Sequence, residues 1–273
     1  MKAGVMVIIN PNQVPRSVRC ADPRINVKLK KMAPANQHII QRLQRQILQW
    51  EGYKPPEIGR KDTLGLGPLE SAFPNGVFPK CSVHELICAN TEQAAATGGL
   101  VTGIISLLMQ QGGVCIWIAR SRRLFPPALK TFGVAPHQVI FISLQNDADT
   151  LWVTEEALKC PGLTAVVCEL QNMDFKQSQR FQRAVEHSRV TGFVLRNAKG
   201  NLSSTACAAR WQIRPLPSAL PQGLPGLGFL RWQADLLKVR NGHTGSWTLQ
   251  WMDGGFINVP SQAPQIREER QVG

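Results

Sequence analysis

The stretch 84-HELICANTEQAAATGG-99 lies where a predicted strand passes into a predicted helix. A Pro/Gly-rich turn, 73-FPNGVFP-79, precedes it, and an apolar run, 100-LVTGIISLLM-109, follows it. In nucleotide-binding α/β proteins a phosphate-cradling loop occupies this junction. Yet the stretch contains no lysine, and its two glycines come only at its end. It is therefore either a phosphate loop that has lost its phosphate-binding residues or a strand-to-helix junction that never bound phosphate.

A phosphate loop requires G-x-x-x-x-G-K-[ST], in which backbone N–H groups cradle phosphates, the lysine neutralises charge and the hydroxyl holds magnesium. At the same junction Cys88 and Gln93 replace the two glycines, Ala94 the lysine and Ala95 the hydroxyl. Glu92 would add a negative charge beside the phosphates. We therefore expect no ATP hydrolysis, while weak nucleotide binding without turnover stays open.

An acidic residue at the end of a buried strand is the second part of an ATPase site. Glu169 lies near the end of the run 164-TAVVCEL-170 and occupies a comparable place, where it can hold a magnesium-bound water, cap a helix or pair with arginine. The residues of this degenerate nucleotide site are Cys88, Asn90, Thr91, Glu92, Gln93, Ala94, Ala95 and Glu169. Whether Asn90 to Gln93 form a contact surface instead is left open.

Other chemistry is sparse in the sequence. The five histidines show no metal-ligand spacing, and the seven cysteines form no C-x-x-C pair. Buried thiols in a reducing compartment explain the cysteines better than disulfides or zinc. We predict no metal, no cofactor and no catalytic residue, and we interpret His84 and Glu85 as a satisfied polar pair at the start of a strand.

Apolar runs that alternate with 10–15-residue helical patterns predict βαβ units and a parallel sheet between residues 64 and 197. The helix after the opening stretch is expected to end at Gly112, and 125-FPPALKTFGV-134 to begin a helix at proline. Beyond this region, alternating polar and apolar residues with Asn-Gly and Thr-Gly turns predict antiparallel strands at the sheet edge. The fold class is thus α/β.

The excess of basic residues is concentrated in the N-terminal part of the chain. The net charge is +13, and residues 1–62 hold twelve basic and four acidic residues, a net +8. We predict a basic, disordered arm over 1–35, an amphipathic helix and linker over 36–62, the α/β domain over 63–257 and a polar tail over 258–273. The apolar face of the amphipathic helix contains Ile39, Leu43, Ile47 and Trp50. It packs on its own domain or binds a partner.

Basic side chains also follow two predicted strands. Arg120, Arg122 and Arg123 come directly after one strand, and Arg196 ends another. Ligands of open α/β sheets bind at the carboxyl ends of strands, so these arginines are candidates for contact with phosphates, single-stranded DNA or an acidic partner. A solvated loop is the alternative. Trp211 and Trp232 adjoin arginines and could stack on bases, but core packing is favoured.

The order of several motifs resembles the RecA-like ImuA family over about residues 36–255. The matching residues are 73-FPNGVFPKCSVHEL-86, 121-SRRLFPPAL-129, the strand 139-VIF-141, Arg210-Trp211, 215-PLPS-218, 225-PGLG-228, Arg231-Trp232, Leu236-Leu237, Arg240-Asn241-Gly242 and Ser246-Trp247. The resemblance implies a RecA-like sheet flanked by helices, with antiparallel C-terminal edge strands and a helical N-terminal arm.

What the resemblance implies about function is an accessory role in damage-induced translesion synthesis, without an intact ATP site. The implied partners are ImuB (an inactive Y-family polymerase homologue), an error-prone replicative-type polymerase and RecA. Two alternatives stay open: a SulA-type division inhibitor of the SOS response and an active RecA-class DNA-dependent ATPase. Direct DNA binding is a further possibility. Since no apolar segment is long enough to span a membrane, we expect a cytoplasmic protein.

Overall fold

The computed structural model of the protein describes residues 63–120, 126–197, 203–219 and 228–259. Several predictions fall outside these ranges: the basic arm over 1–35, the helix and linker over 36–62, and the tail beyond residue 259. Six of the predicted contact residues also lie outside the described ranges: Ile39, Leu43, Ile47, Trp50, Arg122 and Arg123. Within the described ranges no helix has the length and hydropathy needed to cross a membrane.

The described strands form a single sheet. In chain order they are β1 (Val83–Ile87), β2 (Cys115–Ala119), β3 (Val139–Ser143), β4 (Ala165–Leu170), β5 (Thr191–Arg196), β6 (Ala209–Ala219), β7 (Phe229–Val239), β8 (Gly245–Met252) and β9 (Gly255–Asn258). Their spatial order is β3-β2-β4-β5-β1-β6-β7-β8-β9. Strands β1 to β6 run parallel, and β7 to β9 continue antiparallel. This confirms the predicted α/β sheet with antiparallel strands at its edge.

The described residues that connect the parallel strands include three α-helices: α1 (Thr91–Leu108), α2 (Asp147–Leu158) and α3 (Phe175–Ser188). Each begins after an Asn or Asp whose side chain accepts a hydrogen bond from the backbone of the first turn, at Asn90, Asn146 and Asp174. These local signals explain why the helices start where they do.

One helix boundary differs from the sequence prediction. The first helix ends at Leu108 rather than at Gly112, because the apolar run stops at Met109 and the chain then turns through two glycines with positive φ, 92° and 124°. The helix predicted to begin at proline is confirmed, and Pro126–Phe132 forms it as a 3-10 helix.

Helices cover both faces of the parallel sheet. One core lies on the α1 face and includes Leu100, Ile104 and the antiparallel strands, and the other packs α2 and α3 against residues such as Ile118 and Val166. Trp211 and Trp232 are both 3% exposed in the first core, which confirms that they are core residues. The sheet therefore holds the carboxyl ends of β1, β4 and β5 in fixed positions next to one another.

Candidate functional site: the β1–α1 turn and its cleft

The turn between β1 and α1 is too short to form a phosphate loop. Only Cys88, Ala89 and Asn90 separate Ile87, the last residue of β1, from Thr91, the first residue of α1. The residues in the places of the second glycine, the lysine and the hydroxyl, from Gln93 onward, already lie inside α1. A phosphate loop instead wraps its backbone around the anion before the helix begins.

Side chains bind two of the backbone N–H groups that an anion could use at this helix N-terminus. The backbone N–H of Gln93 donates to Oδ1 of Asn90 at 2.8 Å, and the backbone N–H of Ala89 donates to Oε1 of Gln93 at 3.0 Å. This reciprocal arrangement resembles a capping box, which satisfies the unpaired N–H groups at the start of a helix. The cap stabilises the helix and competes with phosphate for the same donors.

Cys88, which replaces the first glycine, is a buried residue with a neutral thiol. Its side chain is 2% exposed and its sulfur lies 3.4 Å from Oγ1 of Thr97. Burial, with a smaller contribution from the Glu169 carboxylate, raises the pKa of the thiol, and the bond to Thr97 only partly opposes this. Since the thiolate is the reactive form, Cys88 is not suited to act as a nucleophile.

Glu169 lies one residue before the end of β4, and β5 separates that strand from β1. Its Oε1 accepts a hydrogen bond from the indole N–H of Trp117 at 3.0 Å. The carboxylate is therefore held by a core side chain, and it lies close enough to Cys88 to act on its pKa. It contributes negative charge beside the site, which opposes the binding of an anion.

A cleft of about 540 Å³ opens at this end of the sheet. Its lining residues come from the segments that follow β1, β4 and β5: Cys88, Ala89, Asn90, Thr91, Gln171, Asn172 and Asn197. All of them are uncharged. A triphosphate bound here would meet carboxamides and a hydroxyl, and the lining residues that the structure describes include no arginine or lysine to compensate its charge.

The three carboxamide residues that follow β4 and β5 were not identified from the sequence. Gln171 and Asn172 come directly after β4, and Asn197 comes directly after β5. Their position just beyond strand ends was a usable signal, because ligands of parallel sheets bind there. Only the sheet order, which the sequence did not reveal, brings them next to the β1–α1 turn.

Both described arginines of the predicted basic edge have carboxylate partners. Arg120 follows β2 and is exposed, and its guanidinium lies 3.5 Å from the carboxylate of Asp147 in the first turn of α2. Arg196 ends β5 as predicted, but it is only 4% exposed and it bonds Glu85 rather than facing solvent. A DNA contact through Arg196 would need this buried pair to open. Arg122 and Arg123 lie outside the described residues.

Glu85 is the centre of a buried polar network between β1, β5 and β6. Its fully buried carboxylate accepts from Arg196 Nη1 at 2.5 Å, from Thr205 Oγ1 at 2.7 Å and from Arg210 Nε at 2.8 Å. Each carboxylate oxygen therefore has a donor, as a buried charge requires. The network fixes the connection between β5 and β6 to the middle of the sheet.

His84 and Glu85 are not partners of each other, which corrects the interpretation made from the sequence. Neighbouring residues of a strand face opposite sides of the sheet, and the two residues lie near the start of β1, where they were predicted. The His84 ring stacks between Phe78 and Phe193, and its Nε2 bonds the carbonyl oxygen of Pro79 at 2.9 Å. Its Nδ1 is buried without a hydrogen-bond partner, and burial lowers the pKa of the ring to about 4.

The described cysteines are all free, and four of them, Cys88, Cys115, Cys168 and Cys207, are buried. Burial raises the pKa of Cys115, Cys168 and Cys207 to about 12. Within the described ranges no group of three or more His, Cys, Asp or Glu side chains is placed to hold a metal ion. The thiols that the structure describes as buried are packing residues.

The chain was compared with family models and with curated proteins, and only the second comparison found relatives. No family model matches the chain. The chain is similar to the protein named Protein ImuA in two strains of Caulobacter vibrioides, NA1000 / CB15N and CB 15. In each case the identity is 33% over 205 residues, which cover 71% of this chain and 84% of the relative.

Proposed function

The chain belongs to the ImuA family, and from this premise we propose that it is a non-catalytic, RecA-like accessory protein of damage-induced translesion synthesis. It acts by binding other proteins rather than by hydrolysing a nucleotide. Arg120, Arg122 and Arg123 are its candidate contact with single-stranded DNA. Its partners in this proposal are an inactive Y-family polymerase homologue, an error-prone replicative-type polymerase and RecA.

The observation that carries the proposal is the capped β1–α1 turn. In the place of a phosphate loop, Asn90 and Gln93 bind two backbone N–H groups, and none of the described residues that line the cleft beside them is cationic. Hydrolysis of ATP depends on cationic groups and magnesium that neutralise charge on the transferred phosphoryl group. The geometry therefore supports a RecA-like body that serves as a binding scaffold.

The arginines after β2 are the proposed polyanion or acidic-partner contact of this scaffold. Arg120 is exposed, and its bond to Asp147 is a surface ion pair, which a competing phosphate or carboxylate can replace at little cost. Together with Arg122 and Arg123 it provides three guanidinium groups within four residues. The apolar helix face of Ile39, Leu43, Ile47 and Trp50 is the proposed protein contact of the N-terminal region.

A genetic complementation experiment tests the proposal. In the host organism, loss of the protein should lower the frequency of mutations induced by ultraviolet light, and the wild-type chain should restore it. Glu169→Gln should restore it equally, because a glutamine can still accept the Trp117 hydrogen bond and no hydrolysis is required. A triple change of Arg120, Arg122 and Arg123 to glutamine should restore it only in part.

Two controls make the outcome decisive. Arg214→Gln changes an exposed arginine of β6, paired with Asp235, and should restore mutagenesis fully. Binding of single-stranded DNA, measured over a range of salt concentrations, separates the two roles of the cluster: a smaller salt dependence in the triple variant indicates DNA contact, and unchanged binding with lost partner pull-down indicates protein contact. Normal induced mutagenesis without the protein, or none with Glu169→Gln at normal protein level, would overturn the proposal.

A further inference from the structure

The strand β3 is an apolar edge of the sheet that the described residues leave unpaired. It is the first strand in the spatial order, and none of the described residues pairs with its outer side. Ile140 is 50% exposed and Phe141 is 36% exposed, on opposite faces of the sheet. Soluble proteins usually protect such an edge with lysine, proline or a bulge, but Val139–Ser143 contains neither residue, and its pairing with β2 has no register shift.

The backbone groups that face outward can be assigned. The N–H of Leu144 donates to the carbonyl oxygen of Ala119, the last residue of β2, at 3.1 Å. Because the backbone of a strand turns to alternate sides at successive residues, Ile140 and Ile142 also bond β2. The N–H and C=O groups of the odd-numbered residues, Val139, Phe141 and Ser143, therefore point to the free edge.

The edge carries no charge in a chain that is strongly basic. Residues 131–146 contain no Lys, Arg, Asp or Glu, although 18% of the chain is charged and its net charge is +13. Electrostatic attraction therefore cannot select a charged partner for this strand. Two copies of the chain would repel each other least where these uncharged segments meet.

We propose that β3 pairs with β3 of a second copy of this chain, antiparallel and about a two-fold axis at Phe141. Antiparallel pairing of a strand with itself is self-complementary, as a two-fold interface requires. Phe141 then lies opposite the partner's Phe141, and each exchanges both backbone bonds with the other. Ile140 lies opposite the partner's Ile142, on the same face of the sheet.

The sequence of the strand fits this register. Read in either direction from Phe141, the neighbours are isoleucines, followed by Val139 on one side and Ser143 on the other. The apolar pairs across the axis stabilise the contact, as cross-strand aromatic and β-branched pairs do in sheets. The proposal concerns assembly and does not depend on the function proposed above.

The other end of the sheet is a less suitable edge. Strand β9 has only four residues, begins at Gly255 and follows a turn in which Asp253 and Gly254 have positive φ. It does expose one large apolar side chain, Ile257, at 40%. This makes Ile257 a matched control for Phe141.

Sedimentation velocity over a range of protein concentrations tests the proposal with a charge-swap pair. The full-length wild-type chain should form a dimer that strengthens as salt screens its net charge. Phe141→Lys and Phe141→Glu should each lose the dimer, since like charges face each other across the axis. An equimolar mixture of the two variants should recover it, which also shows that both variants fold. Ile257→Lys should sediment as the wild type does.

Four results would overturn the proposal. They are a wild-type chain that stays monomeric at all concentrations, Phe141 variants that dimerise alone, a mixture that stays monomeric, and loss of the dimer in Ile257→Lys. The last would assign assembly to the opposite edge of the sheet, and the third would exclude the two-fold register at Phe141.

Discussion

At the level of single residues, the β1–α1 turn shows how helix capping and anion binding compete for the same backbone groups. The side chains of Asn90 and Gln93 accept hydrogen bonds from backbone N–H groups that could otherwise donate to a bound phosphate. The loss of the lysine and both glycines could be read from the sequence. The cap could not, because Gln93 reaches back to Ala89 only when the helix begins as early as Thr91.

His84 makes folding stability depend on pH. Burial holds the pKa of the folded protein's ring at about 4, below its ordinary 6.5, so the unfolded chain takes up the proton first as the pH falls. The free energy of unfolding should therefore fall by about 3 kcal/mol between about pH 7 and pH 4 on account of this residue, and level off below.

Urea denaturation as a function of pH measures this contribution. His84→Phe keeps a ring between Phe78 and Phe193 but cannot titrate. The pH dependence of its free energy of unfolding should be shallower than that of the wild type over this range. Parallel curves for the two proteins would show that His84 contributes nothing.

Glu85 makes a second prediction at this scale. Glu85→Gln removes the charge that two guanidinium groups share and leaves Arg196, 4% exposed, without a carboxylate. We expect the free energy of unfolding to fall by about 3–5 kcal/mol, the usual cost of an unpaired buried charge. Urea denaturation at neutral pH measures it.

The matched control is an exposed ion pair of the same chemistry. Arg214→Gln breaks the pair with Asp235 by changing a side chain that is 53% exposed, and should cost at most about 1 kcal/mol. Equal losses in the two variants would contradict a special role for the buried network.

At the level of elements, α1 approaches the antiparallel strands closely because it carries glycines. A Cβ on Gly103 would lie 2.7 Å from Cζ of Phe256 and 3.1 Å from the ring of Trp251. Gly98, one and a half turns earlier, has nothing within 4 Å of the corresponding position. Substitution of Gly103 therefore tests side-chain packing, and substitution of Gly98 tests helix propensity, within the same helix.

Alanine substitutions should therefore have opposite signs. Gly103→Ala should lower the free energy of unfolding by about 1–3 kcal/mol through overpacking. Gly98→Ala should raise it by up to about 1 kcal/mol, since alanine favours the helix. Thermal and urea denaturation measure both, and a stabilised Gly103→Ala would show that β9 moves away freely.

The elements themselves were largely predictable. Runs such as 115-CIWIA-119 and 165-AVVC-168 are apolar throughout, as expected of strands covered on both faces, and Asn or Asp marks the start of each described α-helix. The end of α1 was placed four residues too late because helical periodicity fades into Gln110 and Gln111 without a sharp break. The pairing of β6 with β1 depends on contacts distant in sequence, which local pattern does not encode.

At the level of the whole molecule, the sheet order decides which predicted site residues meet. It brings the β1–α1 turn, the end of β4 and the end of β5 to one cleft whose described lining residues are uncharged. It also buries Arg196 beside Glu85, so this basic residue becomes part of the interior. Neither result follows from the spacing of residues along the chain.

The central claim, that this family member works without a nucleotide, is tested most directly by titration calorimetry of the full-length chain with Mg-ATP, combined with an assay of phosphate release in the presence of single-stranded DNA. We predict no saturable binding tighter than about 1 mM and no release above that of buffer. Saturable micromolar binding with turnover that Glu169→Gln abolishes would contradict the account.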